Sequence, residues 1–253
     1  MKFYMPHFYV EPENISGNFF LINGTQYHYV SNVHRFKIND EIMIFDGIGN
    51  SYKAKIISIN KNKIIGHILS SSYKMPVFTI KLYTSVPKGK RFEWLIEKCA
   101  EIGVSKIIPI NTRRSLKIFF SENKLERYKK ISIAASSQCG RNDIMEISNV
   151  LNFKNACKAI YSIKNFMSIL LWEKETSTTL NNFIQKPTYV GANIFIGPEG
   201  GFENEEIEFA KSLDIQTITL GNDILRIETA ALISSALVLN NQTLVLKNMV
   251  SLK

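Results

Sequence analysis

Hydrophobic residues fall in two different rhythms along this chain. Up to residue 72 they come as short runs rich in β-branched and aromatic residues: Phe19–Ile22, Tyr27–Val30, Glu41–Phe45, Tyr52–Ile59 and Lys63–Leu69. Turn formers separate these runs at Asn23-Gly24, Asp46-Gly47 and Asn60–Asn62. Short strands at this spacing predict a small β-barrel. Asp46-Gly47-Ile48-Gly49 reads as its hairpin loop, because neither the third glycine nor the helix of a dinucleotide fingerprint follows. Ser70–Pro76 reads as a linker.

Beyond the linker, strand-like runs alternate with helical periodicity. Val77–Thr84, Lys106–Ile110, Phe166–Leu171, Asn193–Ile196 and Thr217–Leu220 predict strands. Phe92, Leu95, Ile96, Cys99 and Ile102 fall on one helical face over 89–102, with Gly103 as the stop. Ser121–Gln138 predicts a helix capped by its serine, and further helices are expected near 153–161, 204–213 and 228–240. This alternation predicts a parallel sheet covered on both faces. The uncharged run Thr229–Leu246 just reaches the length of a membrane span. Its Ser234, Ser235, Asn240, Asn241, Gln242 and Thr243 predict instead a buried helix followed by a strand or tail.

The 253 residues carry 31 basic and 22 acidic side chains, a formal charge of +9. The excess sits in one place: residues 73–150 hold 15 basic against 7 acidic side chains, whereas 151–253 hold 9 against 10. Such a basic segment is the footprint expected of a protein that grips phosphate backbone, although a solvated lysine-rich surface reads the same way. All four histidines lie within the first 67 residues, so chemistry in the later two-thirds proceeds without imidazole. Three cysteines without CxxC spacing predict neither a disulfide framework nor a zinc cage, and a reducing cytoplasm is the expected compartment. The start of the chain shows no apolar leader, so secretion is not expected.

Two glycine-containing stretches follow predicted strands, where open α/β sheets bind ligands. The first is Ile196-Gly197-Pro198-Glu199-Gly200-Gly201-Phe202. The second runs from Leu220-Gly221 through Ile224, Leu225, Arg226 and Glu228 to Thr229 and Ala230. Neither is a phosphate-binding P-loop. Taken alone, each could be a plain strand-to-helix connection, and together they leave a cofactor pocket at even odds.

The same residues carry a resemblance. IGPEGGF followed by LG..ILR.ETAAL resembles the RsmE family of SPOUT methyltransferases. So do Met5–Val10, Val33-His34-Arg35, the segment Lys88–Val104, Arg113-Arg114-Ser115 and Ser137–Arg141. The resemblance extends over almost the whole chain and implies a PUA-like RNA-binding β-barrel at 1–72. It implies a SPOUT α/β domain with a deep trefoil knot at 73–253. It further implies methylation of uracil N3 in 16S ribosomal RNA with S-adenosyl-L-methionine, by a homodimer acting on the small ribosomal subunit, with neither metal nor membrane. The cofactor would sit among Leu171 and Trp172, the Ile196, Gly197, Pro198, Glu199, Gly200 and Gly201 loop, and Leu220, Gly221, Ile224, Leu225, Arg226, Thr229 and Ala230. Arg226 would stabilise charge on the uracil, and Glu228 would accept the proton or orient Arg226. Arg35, Lys88, Arg113, Arg114, Gln138 and Arg141 would face RNA. Asn222, Asp223 and Ile227 depart from the family's usual proline, arginine and threonine, and His34 from its leucine. A ribose 2′-hydroxyl methyltransferase of the same superfamily is the first rival, but its Asn-x-Gly-x-x-x-Arg element is absent here. A non-catalytic RNA-binding assembly factor is the second.

Overall fold

A computed structural model of the chain describes residues 6–161, 165–181 and 189–251, with 243–251 as backbone only. Met5, in the opening stretch of the resemblance, lies outside the described residues. Backbone contacts divide the chain into two units: Met1–Met75 with Ile133–Ile144, and Pro76–Ser132 with Met145–Lys253.

The first unit is built on a six-stranded sheet. Its strands are β1 (His7–Tyr9), β2 (Ile15–Ser16), β3 (Phe19–Asn23), β4 (Glu41–Phe45), β5 (Asn50–Asn60) and β6 (Lys63–Tyr73). Their spatial order is β1-β4-β5-β6-β3-β2. Phe8, Phe20, Ile22, Val30, Ile42, Ile44, Ile56 and Ile64 make its core. Alternation along β3 and β4 sends these side chains to one face. The Asp46 carboxylate organises the β4–β5 hairpin by accepting from the backbone N–H groups of Ile48 (2.9 Å) and Asn50 (3.0 Å).

Two expectations fail in this unit. The run Tyr27–Val30 is helical, not a strand: α1 (Gly24–His28) continues into a wide turn over Tyr29–Val33. Three-residue spacing on a helical turn puts Tyr27 and Val30 on the same side, where both meet the core. A run of four residues cannot distinguish that geometry from a strand. The serines at 70–72 form no linker. β6 runs through them to Tyr73, paired with β5 by Lys53↔Ser70, Tyr52↔Ser71 and Ser51↔Ser72. Ladder hydrogen bonds to a long partner strand override the turn preference of serine.

Gly66, in the middle of β6, is where two chain segments come closest. A Cβ there would lie 2.2 Å from the Phe20 ring and 2.6 Å from the Lys55 carbonyl oxygen. Since Phe20 is buried and Lys55 O is backbone, neither can yield cheaply. Gly66→Ala is expected to cost about 1–3 kcal/mol of unfolding free energy, the range for overpacking a filled site. Urea unfolding monitored by circular dichroism measures it, and an unchanged midpoint would contradict this packing.

The second unit is a parallel sheet between helices. Its strands are β7 (Thr79–Thr84), β8 (Lys106–Asn111), β9 (Glu146–Ile147), β10 (Leu151–Asn152), β11 (Phe166–Leu171), β12 (Gly191–Ile196) and β13 (Gln216–Ile218). The order is β10-β8-β7-β12-β11-β13, with β9 also paired to β8. The helices are α2 (Arg91–Ile102), α3 (Glu122–Cys139, which continues into the first unit's segment), α4 (Phe153–Ile160), α5 (Asn204–Lys211) and α6 (Ile227–Ser251). Gly103 ends α2 with φ +103°, a left-handed conformation that glycine adopts without penalty. Ile108, Tyr83, Phe195 and Leu170 lie side by side in register across four strands. They pack with Phe153 and Ile160 of α4 and with Ile207 and Ala210 of α5. α6 packs on β7 and β12 from the other face, beside α2. Burial on both faces is why β12 is apolar at almost every position.

The C-terminal expectation is also corrected. α6 does not give way to a strand or tail near residue 240 but continues to Ser251. No proline or glycine interrupts 227–251, so the polar residues at 240–243 change the helix surface without ending it. Among the described residues, no helix is long and apolar enough to cross a membrane.

Candidate active site

Three adjacent parallel strands, β12, β11 and β13, end side by side. Ile196, Leu171 and Ile218 are their last residues and lie in one register row. The chain leaves all three strands at the same edge, so their loops surround one cavity of ≈ 310 Å³. That volume suits a small organic ligand. Its walls are Leu171–Glu173 after β11, Ile196–Phe202 after β12, and Ile218–Leu225 with Ile227 and Ala230 after β13.

The sequence reading assigned fifteen positions to a cofactor, and all but Arg226 and Thr229 line this cavity. It did not assign Glu173, Phe202, Ile218 or Thr219, which also line it, nor the departures Asn222, Asp223 and Ile227. Phe202 and Ile218 read as plain core residues. Glu173 and Thr219 simply extend the two loops already singled out, which is the signal that would have found them.

Each wall is braced. After β11, the Glu175 carboxylate accepts from the hydroxyls of Ser177 (2.7 Å) and Thr217 (2.6 Å) and from the Ser177 N–H (3.0 Å). These donors hold its pKa down at about 2 and tie the loop to β13. After β12, Arg114 donates to the Gly200 carbonyl (2.8 Å) and forks onto Glu203 at 2.8 and 3.0 Å. Under that loop sits the buried Phe202 ring, so close to Gly197 that a Cβ there would meet it at 2.8 Å. Trp172 in the wall carries a buried indole N–H with no hydrogen-bond partner among the described residues.

The electrostatics are one-sided. Among the described residues, Glu173, Glu199 and Asp223 line the cavity and no Lys, Arg or His does. Such a cavity favours a cationic ligand over a polyanion. Cysteine chemistry is remote: burial pushes the Cys157 thiol up to about 12, and raises that of Cys99 as well. Among the described residues, no group of three or more His, Cys, Asp or Glu side chains could hold a metal ion.

The two residues assigned to catalysis part company. Arg226 is exposed between the cavity-lining Leu225 and Ile227, and makes no ion pair among the described residues. Glu228 is buried in the first turn of α6 and pairs at 3.5 Å with Arg91, not with Arg226. Arg91 also reaches Glu199 at 3.2 Å.

The six positions assigned to RNA divide as well. Arg113 pairs with Glu205 at 2.6 Å, and Arg114 is committed to Glu203 and Gly200. Arg141 forks onto Asp143 with only 11% of its side chain exposed. Arg35, Lys88 and Gln138 are exposed.

Comparison with known proteins matches this architecture. An RNA methyltransferase domain matches residues 74–239 and an RNA methyltransferase PUA domain matches residues 22–69. The ribosomal RNA small subunit methyltransferase E of Buchnera aphidicola (subsp. Acyrthosiphon pisum) is 30% identical, over 91% of each chain. That of Bacillus subtilis is 30% identical, over 84% of this chain and 86% of its own. The crystal structure of ribosomal RNA small subunit methyltransferase E from Neisseria gonorrhoeae, bound to S-adenosyl methionine, superposes with a TM-score of 0.84. Its identity is 27%, covering 95% of this chain and 98% of that one. Sheet order, a loop-walled cavity at the strand ends and matches along both units converge, and the chain belongs to the RNA methyltransferase family that includes the ribosomal RNA small subunit methyltransferase E proteins.

Proposed function

We propose that this protein transfers a methyl group from S-adenosyl-L-methionine to N3 of a uracil in 16S ribosomal RNA. The observation that carries the reading is the cavity at the ends of β11, β12 and β13, lined by carboxylates and by glycine backbone. The cofactor is a sulfonium with an ammonium group, and it meets those carboxylates favourably. Gly197, Gly200 and Gly201 line the cavity with backbone, which a ligand can contact directly.

The bound cofactor supplies an activated methyl electrophile. The chain's own residues must hold uracil N3 toward it and manage the charge left when the N3 proton departs. That charge spreads over N3 and the two carbonyl oxygens. Arg226, exposed beside the cavity with no carboxylate partner among the described residues, would stabilise it as a hydrogen-bond donor. Glu228 is the candidate proton acceptor, since one of its oxygens is buried without a hydrogen-bond partner among the described residues. Its other assigned role, orienting Arg226, has no contact behind it.

RNA would be gripped by exposed cations such as Arg35 and Lys88, while Arg114 holds the loop after β12 and Arg113 pairs with Glu205 of α5. A PUA-like barrel at 1–72, a trefoil-knotted domain at 73–253, a homodimer, a small-subunit substrate and a cytoplasmic location complete the proposal. Deleting the protein from its host and analysing 16S RNA nucleosides by mass spectrometry tests it. Loss of N3-methyluridine on deletion, restored by the wild-type chain, is the expected result; persistence of the modified base defeats the substrate assignment. Heat on titration with S-adenosyl-L-methionine separates the enzyme from an RNA-binding assembly factor, which would show none.

A further inference from the structure

Arg91, the first residue of α2, joins a carboxylate of the cavity wall, Glu199, to Glu228, which follows the lining residue Ile227 at the start of α6. One terminal guanidinium nitrogen lies 3.2 Å from Glu199 Oε1, in the loop after β12. The other lies 3.5 Å from Glu228 Oε1, in the first turn of α6. The two limbs are unequal. Half of the Glu199 side chain is exposed (50%), against 9% for Glu228. Water screens the first pair, which contributes little by itself. The second pair is different, because Glu228 Oε2 is already buried without a hydrogen-bond partner among the described residues. Removing the cation would leave a buried carboxylate uncompensated, which is strongly unfavourable.

We propose that Arg91 is a positioning residue for the methyl-transfer site. It holds the Glu228 carboxylate in place and, through Glu199, ties the Gly197–Gly201 loop to the start of α6, so that two cavity walls are set as one. Its guanidinium is planar with nitrogens in a fixed fork, so that one terminal nitrogen faces each acid; an ammonium offers its donors from a single point and reaches two separated acids less well. The functional consequence rests on the methyltransferase reading, but the tether itself does not.

Hydrogen exchange of the ligand-free full-length protein therefore tests the tether separately from activity. In R91A, amides of 197–203 and of 227–230 are expected to exchange at least about fivefold faster, as local openings become easier. In E199Q only the 197–203 segment should respond. Titration with S-adenosyl-L-methionine should show an affinity loss of about tenfold or more for R91A, against about threefold or less for E199Q, following the burial of the two acids. R91K should recover part of the R91A loss. In the double variant R91A/E199Q the amides of 197–203 should exchange no faster than in R91A, because one shared interaction cannot be lost twice.

Unchanged exchange in both segments of R91A, or strictly additive acceleration of 197–203 in the double variant, would overturn the tether. If R91A does not fold, R91K and E199Q carry the test: R91K must speed exchange in at least one of the two segments, and an unaltered pattern overturns the proposal. If the wild-type protein itself shows no heat with the cofactor, the methyltransferase reading fails, and exchange still decides the tether.

Discussion

Arg226→Ala is expected to lower the turnover number by about 10²–10³-fold, the usual loss when one preorganised donor to a developing anion is removed. Cofactor affinity should change little, since Arg226 is absent from the cavity lining while its neighbours Leu225 and Ile227 belong to it. Among the described residues no carboxylate competes for its guanidinium, because Glu228 pairs with Arg91. A guanidinium held at a cavity edge without a partner is available to charge that arises only during the reaction. Single-turnover methylation of RNA with saturating cofactor, together with a direct binding titration, separates the two quantities. Unchanged turnover, or a loss confined to cofactor binding, removes Arg226 from the chemistry.

The second large effect concerns the loop after β12. Gly197→Val should weaken S-adenosyl-L-methionine binding by about 30-fold or more, the fold being kept, because the loop must move for the side chain to fit. The atoms in the way belong to the Phe202 ring, only 3% exposed and embedded in the cluster of Phe153, Phe195 and Ile207. A flexible surface chain would swing aside; this ring is held by its packing in that cluster and yields only at a cost. The loop would therefore lift, straining the bond by which Arg114 holds its Gly200 carbonyl. Calorimetric titration gives the affinity, and thermal unfolding checks that the sheet survives. Wild-type affinity in this variant would mean the cofactor does not depend on that loop.

Much of this site was legible in the chain because it is local. Gly197–Gly201 and Leu220–Ala230 each follow a strand, and a strand end followed by glycine is visible within a dozen residues. Most of the strands and helices of the second unit were legible for the same reason, since their apolar periodicity is a short-range pattern. Errors came where a short window supports two geometries, as at Tyr27–Val30, or where a distant partner strand overrides local preference, as for the serines of β6.

Charge was read least well. The basic excess at 73–150 reads as a free surface for phosphate, yet Arg91, Arg113 and Arg114 are held by acids of the 151–253 segment. Arg91 lies 137 residues from Glu228 and 108 from Glu199, and Arg114 lies 89 from Glu203. The sequence by itself determined the parallel α/β unit, the loops that wall the cavity and the family's motifs, because each is written in neighbouring residues. Only the tertiary structure decided which cations remain for RNA and which brace the cavity. The order of the strands brings residues a hundred positions apart to within 3–4 Å, and ion pairs form at that range regardless of where their partners stand in the chain.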